Sequence, residues 1–264
     1  MSARKEVLFN VDKVYDAYMG KMGDRMKVKT NERIGWIAQN VYGKTILDVG
    51  CSQGLVSILL AREGKKVVGI DVVAESVKFA TTKLLKQEDA FTRANVTFKC
   101  INFLKFPEDK RFDTIIFGEV LEHLLYPEKF VKKAKKMLQK NGRLIITVPF
   151  GFNIFYDHKA TYYVGAVLEM VLNDFALCEI KYFDGWVGLT LDNKKGEQLD
   201  WISIVKTLEA EVMRHELVLL ENNQQLLDEN RDLSRQIADL NQELVRNHRS
   251  IIRRVVARLK RGMK

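Results

Sequence analysis

The sequence predicts an α/β fold built on a largely parallel sheet and followed by a long C-terminal helix. Three observations predict it. Residues 45–71 read as strand, glycine turn, helix, strand and acid. Short apolar runs then alternate with helical patterns as far as about residue 205, as the layers of a βα domain require. From Lys206 onward proline is absent, glycine does not recur until Gly262, and leucine returns every seven residues.

Residues 1–43 are charged and helical in pattern. Val7, Val11, Val14 and Tyr18 fall on one face of an amphipathic helix. Lys21–Lys29 is basic and reads as a loop. Asn31–Val41 is a second helix with Ile34, Ile37 and Val41 inward.

Thr45–Val49 is a short β-branched run of the kind buried in parallel sheets. Gly50 and Gly54 follow, and glycine lets a backbone turn sharply and approach a ligand closely. Leu55–Arg62 has helical apolar spacing, and Lys65–Ile70 is a second strand ending at Asp71. Asp71 lies 21 residues after Gly50, where a carboxylate can accept hydrogen bonds from the hydroxyls of a ribose. The dinucleotide pattern G-x-G-x-x-G is not met.

The string Leu47-Asp-Val-Gly-Cys-Ser-Gln-Gly54 resembles the first motif of class I S-adenosylmethionine (SAM) methyltransferases, Asp-x-Gly-x-Gly-x-Gly, with Ser52 in place of the middle glycine. The resemblance continues to about residue 205. It implies a Rossmann-like seven-stranded sheet with an antiparallel edge hairpin, N-terminal helices that help to cover the cofactor, and SAM as that cofactor. It assigns Asp48, Gly50, Cys51, Gly54, Asp71, Val72 and Glu119 to the cofactor site, with Asn102 and Phe103 against the adenine.

Further along, Ala74–Gln87 is a helix, and Val96–Cys100 and Phe112–Gly118 are strands. Pro127–Gln139 is a helix opened by proline and closed by Asn141-Gly142. Arg143–Pro149 is the fifth strand, Phe150–Ala160 an aromatic loop, and Thr161–Asn173 a helix. By resemblance Leu177–Phe183 and Leu199–Val205 form the edge hairpin, with Trp186 in the loop Asp184–Glu197 between them.

In residues 206–247, Leu219, Leu226, Leu233 and Leu240 take the d positions of a heptad. Asn223, Asn230, Ile237 and Leu244 take a. Leucine at d with asparagine at a fixes register and oligomer state in parallel coiled coils, so this stretch is expected to self-associate as a dimer or trimer rather than fold back on the domain. Residues 248–264 form a basic amphipathic tail with a stripe of Ile251, Ile252, Val255, Val256 and Leu259, suited to an anionic membrane surface or an acidic partner. The expected organisation is therefore 1–43 helical cap, 44–205 SAM-binding domain, 206–247 coiled coil and 248–264 tail.

The formal charge of +9 is concentrated at the C-terminus, where residues 246–264 hold eight basic groups and no acid. The remainder is nearly neutral, which disfavours nucleic acid as a partner. Three cysteines, Cys51, Cys100 and Cys178, are odd in number and read as buried free thiols of a reducing compartment. Without a signal-peptide pattern or an apolar run approaching 18 residues, the expected location is cytoplasmic, with the tail able to hold the protein at the inner face of a membrane.

Methyl transfer to a hydroxyl needs alignment and removal of a proton. The candidates are Glu119-x-x-Glu122-His123 and His158. They resemble the metal-assisted O-methyltransferases of the ubiquinone pathway and of small-RNA 3′ ends, which implies a divalent ion (Mg or Mn) held by Glu119, Glu122, His123 and His158. Without a metal, His123 or His158 is the general base, or both are structural. Tyr156, Asp157, Tyr162 and Tyr163 either line an acceptor pocket or pack. The methyltransferase head, coil and basic end resemble O-antigen chain-terminating methyltransferases. The first expectation is therefore O-methylation of a sugar hydroxyl in a bacterial surface polysaccharide or its lipid-linked precursor. The alternatives are a small phenolic or quinone-precursor acceptor, or an inactive scaffold of the same fold.

Overall fold

The computed structural model describes residues 13–151, 158–160, 162–194 and 201–262; side chains are described through Arg246, apart from Leu85 and seven in residues 201–213. Residues up to Asp200 form one compact unit and those from Trp201 a second.

In the first unit, α1 (Val14–Tyr18) and α2 (Asp24–Asn40) precede the sheet. Then come β1 (Thr45–Val49), α3 (Leu55–Arg62), β2 (Lys66–Asp71), α4 (Ala74–Gln87), α5 (Ala90–Asn95) and β3 (Val96–Cys100). The second half holds β4 (Phe112–Gly118), α6 (Pro127–Met137), β5 (Leu138–Pro149), α7 (Val164–Val171), β6 (Ala176–Phe183) and β7 (Trp186–Asp192). The sheet order is β3-β2-β1-β4-β5-β7-β6. Strands β1 to β5 pair in parallel, while β7 runs antiparallel to both β5 and β6. The expected seven-stranded Rossmann-like sheet with its antiparallel edge is thus observed. The order reverses between β1 and β4, so the crevice for a ligand opens at the carboxyl ends of these two strands.

The apolar runs do what their composition requires. Ile46, Leu47, Ile115, Ile116, Ile145 and Ile146 are all buried, because helices cover both faces of the parallel strands. From α2, Trp36 and Ile37 join Ile46, Ile116 and Phe183 in one cluster. The indole of Trp36 fills the space above Gly188, where a Cβ would lie 2.6 Å from the ring. Asp113 anchors the start of β1 by accepting hydrogen bonds from the Lys44 and Thr45 amides and the Thr45 hydroxyl.

Several expected elements are corrected. The second hairpin strand is Trp186–Asp192, not Leu199–Val205. Asp184-Gly185 is the tight turn, with Gly185 at φ +91°, and Asp-Gly flanked by apolar residues is a strong short-range hairpin signal. Leu199 lies outside the described residues, and Trp201–Val205 opens the long helix α8 (Trp201–Gly262). The basic stretch Lys21–Lys29 is not a loop throughout, because α2 already begins at Asp24. Asn141-Gly142 lies inside β5, which starts at Leu138, rather than capping a helix. The helix expected over Thr161–Asn173 is the shorter α7. Of the first predicted helix, Val7 and Val11 lie outside the described residues. The cysteines are free as expected, but only Cys51 is buried. Cys100 and Cys178 sit on the two edge strands β3 and β6, which leaves them exposed.

In the second unit α8 is one uninterrupted helix of 62 residues, so the expected boundary at 247/248 is not a break in the backbone. The side chains of the basic stripe from Ile251 to Leu259 lie outside the described residues. Among the described residues no helix is long and apolar enough to cross a membrane.

Candidate active site

The turn after β1 is shaped by its backbone. Gly50 and Gly54 stand at φ +70° and +76°, a region that costs other residues energy. A Cβ on Gly50 would lie 2.6 Å from Val120 Cγ2, and one on Gly54 2.6 Å from Phe98 Cζ. Ser52, where the family motif has glycine, also takes a positive φ of +44°. The serine is therefore accommodated with some strain at the tip of the turn. Two carboxylates brace it from below. Asp71 accepts the Ser52 amide on Oδ2 and the Val73 amide on Oδ1, both at 2.8 Å. Asp48 is buried and accepts the Ser57 hydroxyl at 2.6 Å.

Burial is the main reason that the Asp48 carboxyl titrates at about 6, with the nearby Asp71 charge adding to it and the Ser57 bond opposing it. An acid whose folded value lies above its unfolded value stabilises the fold at low pH and loses that contribution as pH rises through the folded value. The loss runs over pH 4–6 at about 1.4 kcal/mol per unit. Asp48→Asn is therefore expected to raise the melting temperature at pH 7.5 but not at pH 4.5. Equal shifts at both pH values would show that the carboxyl is not titrating in this window.

Above the turn lies an open recess lined by Asp48, Gly50, Cys51, Ser52, Leu55, Ile116, Gly118 and Glu119 below and by Val14, Arg33, Ile34 and Ile37 of α1 and α2 above. The N-terminal helices do cover it, and Gln53 fastens α1 by accepting the Tyr15 amide at 2.9 Å. Glu119, just beyond β4, is the second non-glycine residue at positive φ, +59°. Its carboxylate meets the Arg33 guanidinium at 3.0 Å and accepts the indole N–H of Trp186. Arg33 and Lys29 both lie over the Trp186 ring, 5.1 and 4.5 Å from its centre. Burial of Lys29 draws its pKa down.

Neither Arg33 nor Trp186 was singled out by sequence. Arg33 could have been, because it interrupts the apolar face of Ile34 and Ile37 on a helix expected to cover the cofactor. Trp186 was hidden by its assignment to a loop.

A second cluster lies beside the first. Leu121–His123 forms a 3-10 turn after β4. The Glu122 carbonyl accepts the amides of Lys159 and Ala160, which ties the segment after β5 to this turn and brings His158 to His123. The two rings are 5.1 Å apart between centres. Ligand atoms of Glu122, His123 and His158 all lie within 4.8 Å of one another. Glu122 is only 1 % exposed. Three of the four expected metal ligands are therefore together. Glu119 is not with them, because its ion pair with Arg33 turns it toward the recess.

Other expected site residues are dispersed. Val72 is exposed next to Asp71. Asn102 caps a 3-10 turn by accepting the Leu104 amide at 2.8 Å. Phe103 is corrected from adenine contact to core: its ring is 2 % exposed and packs on Phe117 and Phe130. Tyr162 is buried, donates to the Leu121 carbonyl and, chiefly through burial, has its pKa pushed up to about 12; it packs rather than serving as a base. Tyr163 is exposed. Tyr156 and Asp157 lie outside the described residues.

Comparison with known proteins bears on these features. The family described as "Methyltransferase domain" matches residues 40–176, just over half of the chain. The chain belongs to the methyltransferase-domain family. The first strand, the glycine turn, Asp71, Glu119, Glu122, His123 and His158 fall in the matched stretch, while Arg33 precedes it and Trp186 follows it. The N-methyltransferase NodS from Bradyrhizobium japonicum WM9, solved with S-adenosyl-L-homocysteine, superposes with a TM-score of 0.56 at 18 % identity over 70 % of this chain and all of that one. A SAM-dependent methyltransferase from Aquifex aeolicus superposes at 0.54 with 22 % identity and the same coverage. These likenesses establish the class I SAM methyltransferase fold.

Among curated proteins, the mitochondrial ubiquinone biosynthesis O-methyltransferase of Candida albicans is 30 % identical over 53 % of this chain and 41 % of its own length. The Coxiella burnetii protein of the same function is 30 % identical over 54 % of this chain and 62 % of its own length. The chain spans about half the length of the curated relatives it matches. These relatives overturn the sugar acceptor expected from the coil and basic end. That expectation rested on the segment beyond residue 205, whereas the methyltransferase domain resembles enzymes named for ubiquinone biosynthesis.

Proposed function

We propose that this protein is a SAM-dependent O-methyltransferase whose acceptor is a small phenolic or quinone-precursor molecule. The observation that carries the reading is the pair of adjoining sites at the carboxyl ends of β1 and β4: a recess shaped for a nucleoside beside a cluster of one carboxylate and two imidazoles. The names of the relatives select the acceptor class.

The recess fits SAM by its donors and acceptors. Asp71 receives the ribose hydroxyls, and the glycine turn gives the nucleoside close access to backbone. Arg33 and Glu119, opposite charges already paired across the recess, match the carboxylate and ammonium of the amino-acid arm. Bound SAM supplies an electrophilic methyl group. The chain's own task is to orient that group toward the acceptor hydroxyl, exclude water with α1 and α2, and take the hydroxyl proton on His123 or His158.

The set Glu122, His123 and His158 also fits a divalent ion by its chemistry, since a carboxylate and imidazoles together suit Mn and related metals. Such an ion would lower the pKa of a bound acceptor hydroxyl. The histidines would then be its ligands rather than bases. Glu119 belongs to the cofactor and not to this set.

Titration calorimetry followed by transfer of radiolabel from SAM to a panel of phenols tests the reading. Binding of SAM with label appearing on phenolic oxygen is expected. Binding without transfer to any phenol would overturn the acceptor class, and no binding would overturn the enzyme. For Arg33→Ala, affinity for SAM is expected to fall about tenfold or more, the scale of one charged hydrogen bond. Affinity for methylthioadenosine, which lacks the amino-acid arm, should stay unchanged. Equal losses for both ligands would remove Arg33 from that role.

A further inference from the structure

We infer that α8 pairs with α8 of a second copy of this chain as a parallel, in-register, two-stranded coiled coil. The features that carry it lie outside the methyltransferase site.

Leu219, Leu226, Leu233 and Leu240 recur at seven residues, and each is between 54 and 61 % exposed. Ile237 and Leu244, at the intervening a positions, are 59 and 65 % exposed. A lone water-exposed helix gains nothing from such a stripe, because helices in proteins are stabilised by burying one face. The strict period of seven keeps the stripe on one side only if two helices wind around each other. The segment 219–244 supplies eight consecutive core positions over about 39 Å, at 1.5 Å per residue.

The outer face of the helix carries pairs of its own side chains. Arg231–Asp228 and Arg235–Asp232 are ion pairs at i, i+3. Gln224 donates to Asp228 at i, i+4. These residues take the b, c and f positions, the side away from the leucines, so α8 saturates its outer face with its own side chains and leaves a and d for another chain.

The a positions choose the partner's direction and number. In a parallel pair, a faces a, so Asn223 meets Asn223 and Asn230 meets Asn230, each amide bonding its twin. In an antiparallel pair, a faces d, and both amides would sit against leucine with no acceptor, at the cost of an unsatisfied buried polar group. Ile237 at a with leucine at d favours two strands over three. The charge of the helix raises no obstacle, since the g position Glu229 would face Ser234. A second copy also matches the stripe in length, which a short peptide would not.

The test uses the full chain. Sedimentation at tens of micromolar is expected to give a dimer mass, and the pair Leu226→Lys with Leu233→Lys to give a monomer with an unchanged melting temperature for the catalytic unit. A monomeric wild type, a trimer mass, or a double variant that still dimerises would each overturn the inference. Direction is read separately. In a background carrying Cys100→Ser and Cys178→Ser, Leu240→Cys is expected to form an inter-copy disulfide on mild oxidation, because opposed d positions in a parallel pair lie within disulfide reach. A dimer that fails to cross-link would refute the parallel register, and this variant keeps the test valid if the lysine pair misfolds.

Discussion

Replacing Asp71 with alanine is expected to raise the dissociation constant for SAM by about 100-fold. The carboxylate sits where β2 ends, and its two oxygens already hold the Ser52 and Val73 amides. Each oxygen has a second lone pair to offer a ribose hydroxyl. Hydrogen bonds to a charged acceptor contribute about 1.5–3 kcal/mol each, and about 2.7 kcal/mol corresponds to 100-fold. On the proposed role of Asp71, alanine removes the ribose acceptor and also releases the turn that carries the strained Ser52. A SAM analogue without ribose hydroxyls separates the two effects. The wild type should discriminate strongly against that analogue, and the Asp71→Ala variant should not discriminate at all, as expected of two changes that delete the same contact. Asp71→Asn should lose nearly as much, because its amide nitrogen cannot accept the second backbone N–H. Unchanged affinity in Asp71→Ala would move the nucleoside out of this crevice.

This aspartate was legible in the sequence because its position depends on local grammar alone. A strand, a glycine turn, a helix and a second strand fix where the acid falls, whatever packs around it. The same holds for Gly50 and Gly54, whose positive φ values follow from the turn. What local pattern cannot show is a contact between segments distant in the chain. Arg33 and Glu119 are separated by 86 positions and Glu119 and Trp186 by 67, and nothing near any of them announces the others. The same limit explains Phe103. Its place after β3 suggested a ligand contact, but only the arrival of Phe117 and Phe130 decided that its ring would be core. The misplaced hairpin strand has a different cause. Asp184-Gly185 is a sufficient turn signal on its own, whereas a strand at Leu199–Val205 follows only from the resemblance, which does not fix where the last strand falls. The long helix shows the opposite balance, since its heptads continue beyond Val205 and were visible residue by residue, yet its backbone begins at Trp201, where apolar content resembled a strand.

The separation of Glu119 from Glu122, His123 and His158 divides the chemistry into two parts, and the largest effect on turnover is expected in the second. For Glu122→Gln and for His158→Ala, turnover should fall by about 100- to 10,000-fold, the range ascribed to a positioned proton-transfer group, while the SAM dissociation constant changes less than about twofold. Glutamine matches the shape of a side chain that is 1 % exposed, so the fold should persist and melting temperature provides the control. Chelation distinguishes the two mechanisms open to this cluster. If the three residues hold a metal, chelator abolishes turnover in the wild type, added Mn restores it, and the low-temperature paramagnetic resonance signal of bound Mn disappears in both variants. If they act without one, chelator has no effect, and the acidic limb of the pH–rate profile, set by the imidazole that takes the proton, vanishes when that histidine is replaced while Glu122→Gln keeps it. Full turnover in both Glu122→Gln and His158→Ala would sink either version, because the hydroxyl proton would then have to leave by a route that avoids the cluster altogether. Arg33→Ala and Asp71→Ala make the complementary prediction, with weakened binding of SAM and nearly normal turnover at saturation, since they act on the cofactor and do not touch the proton.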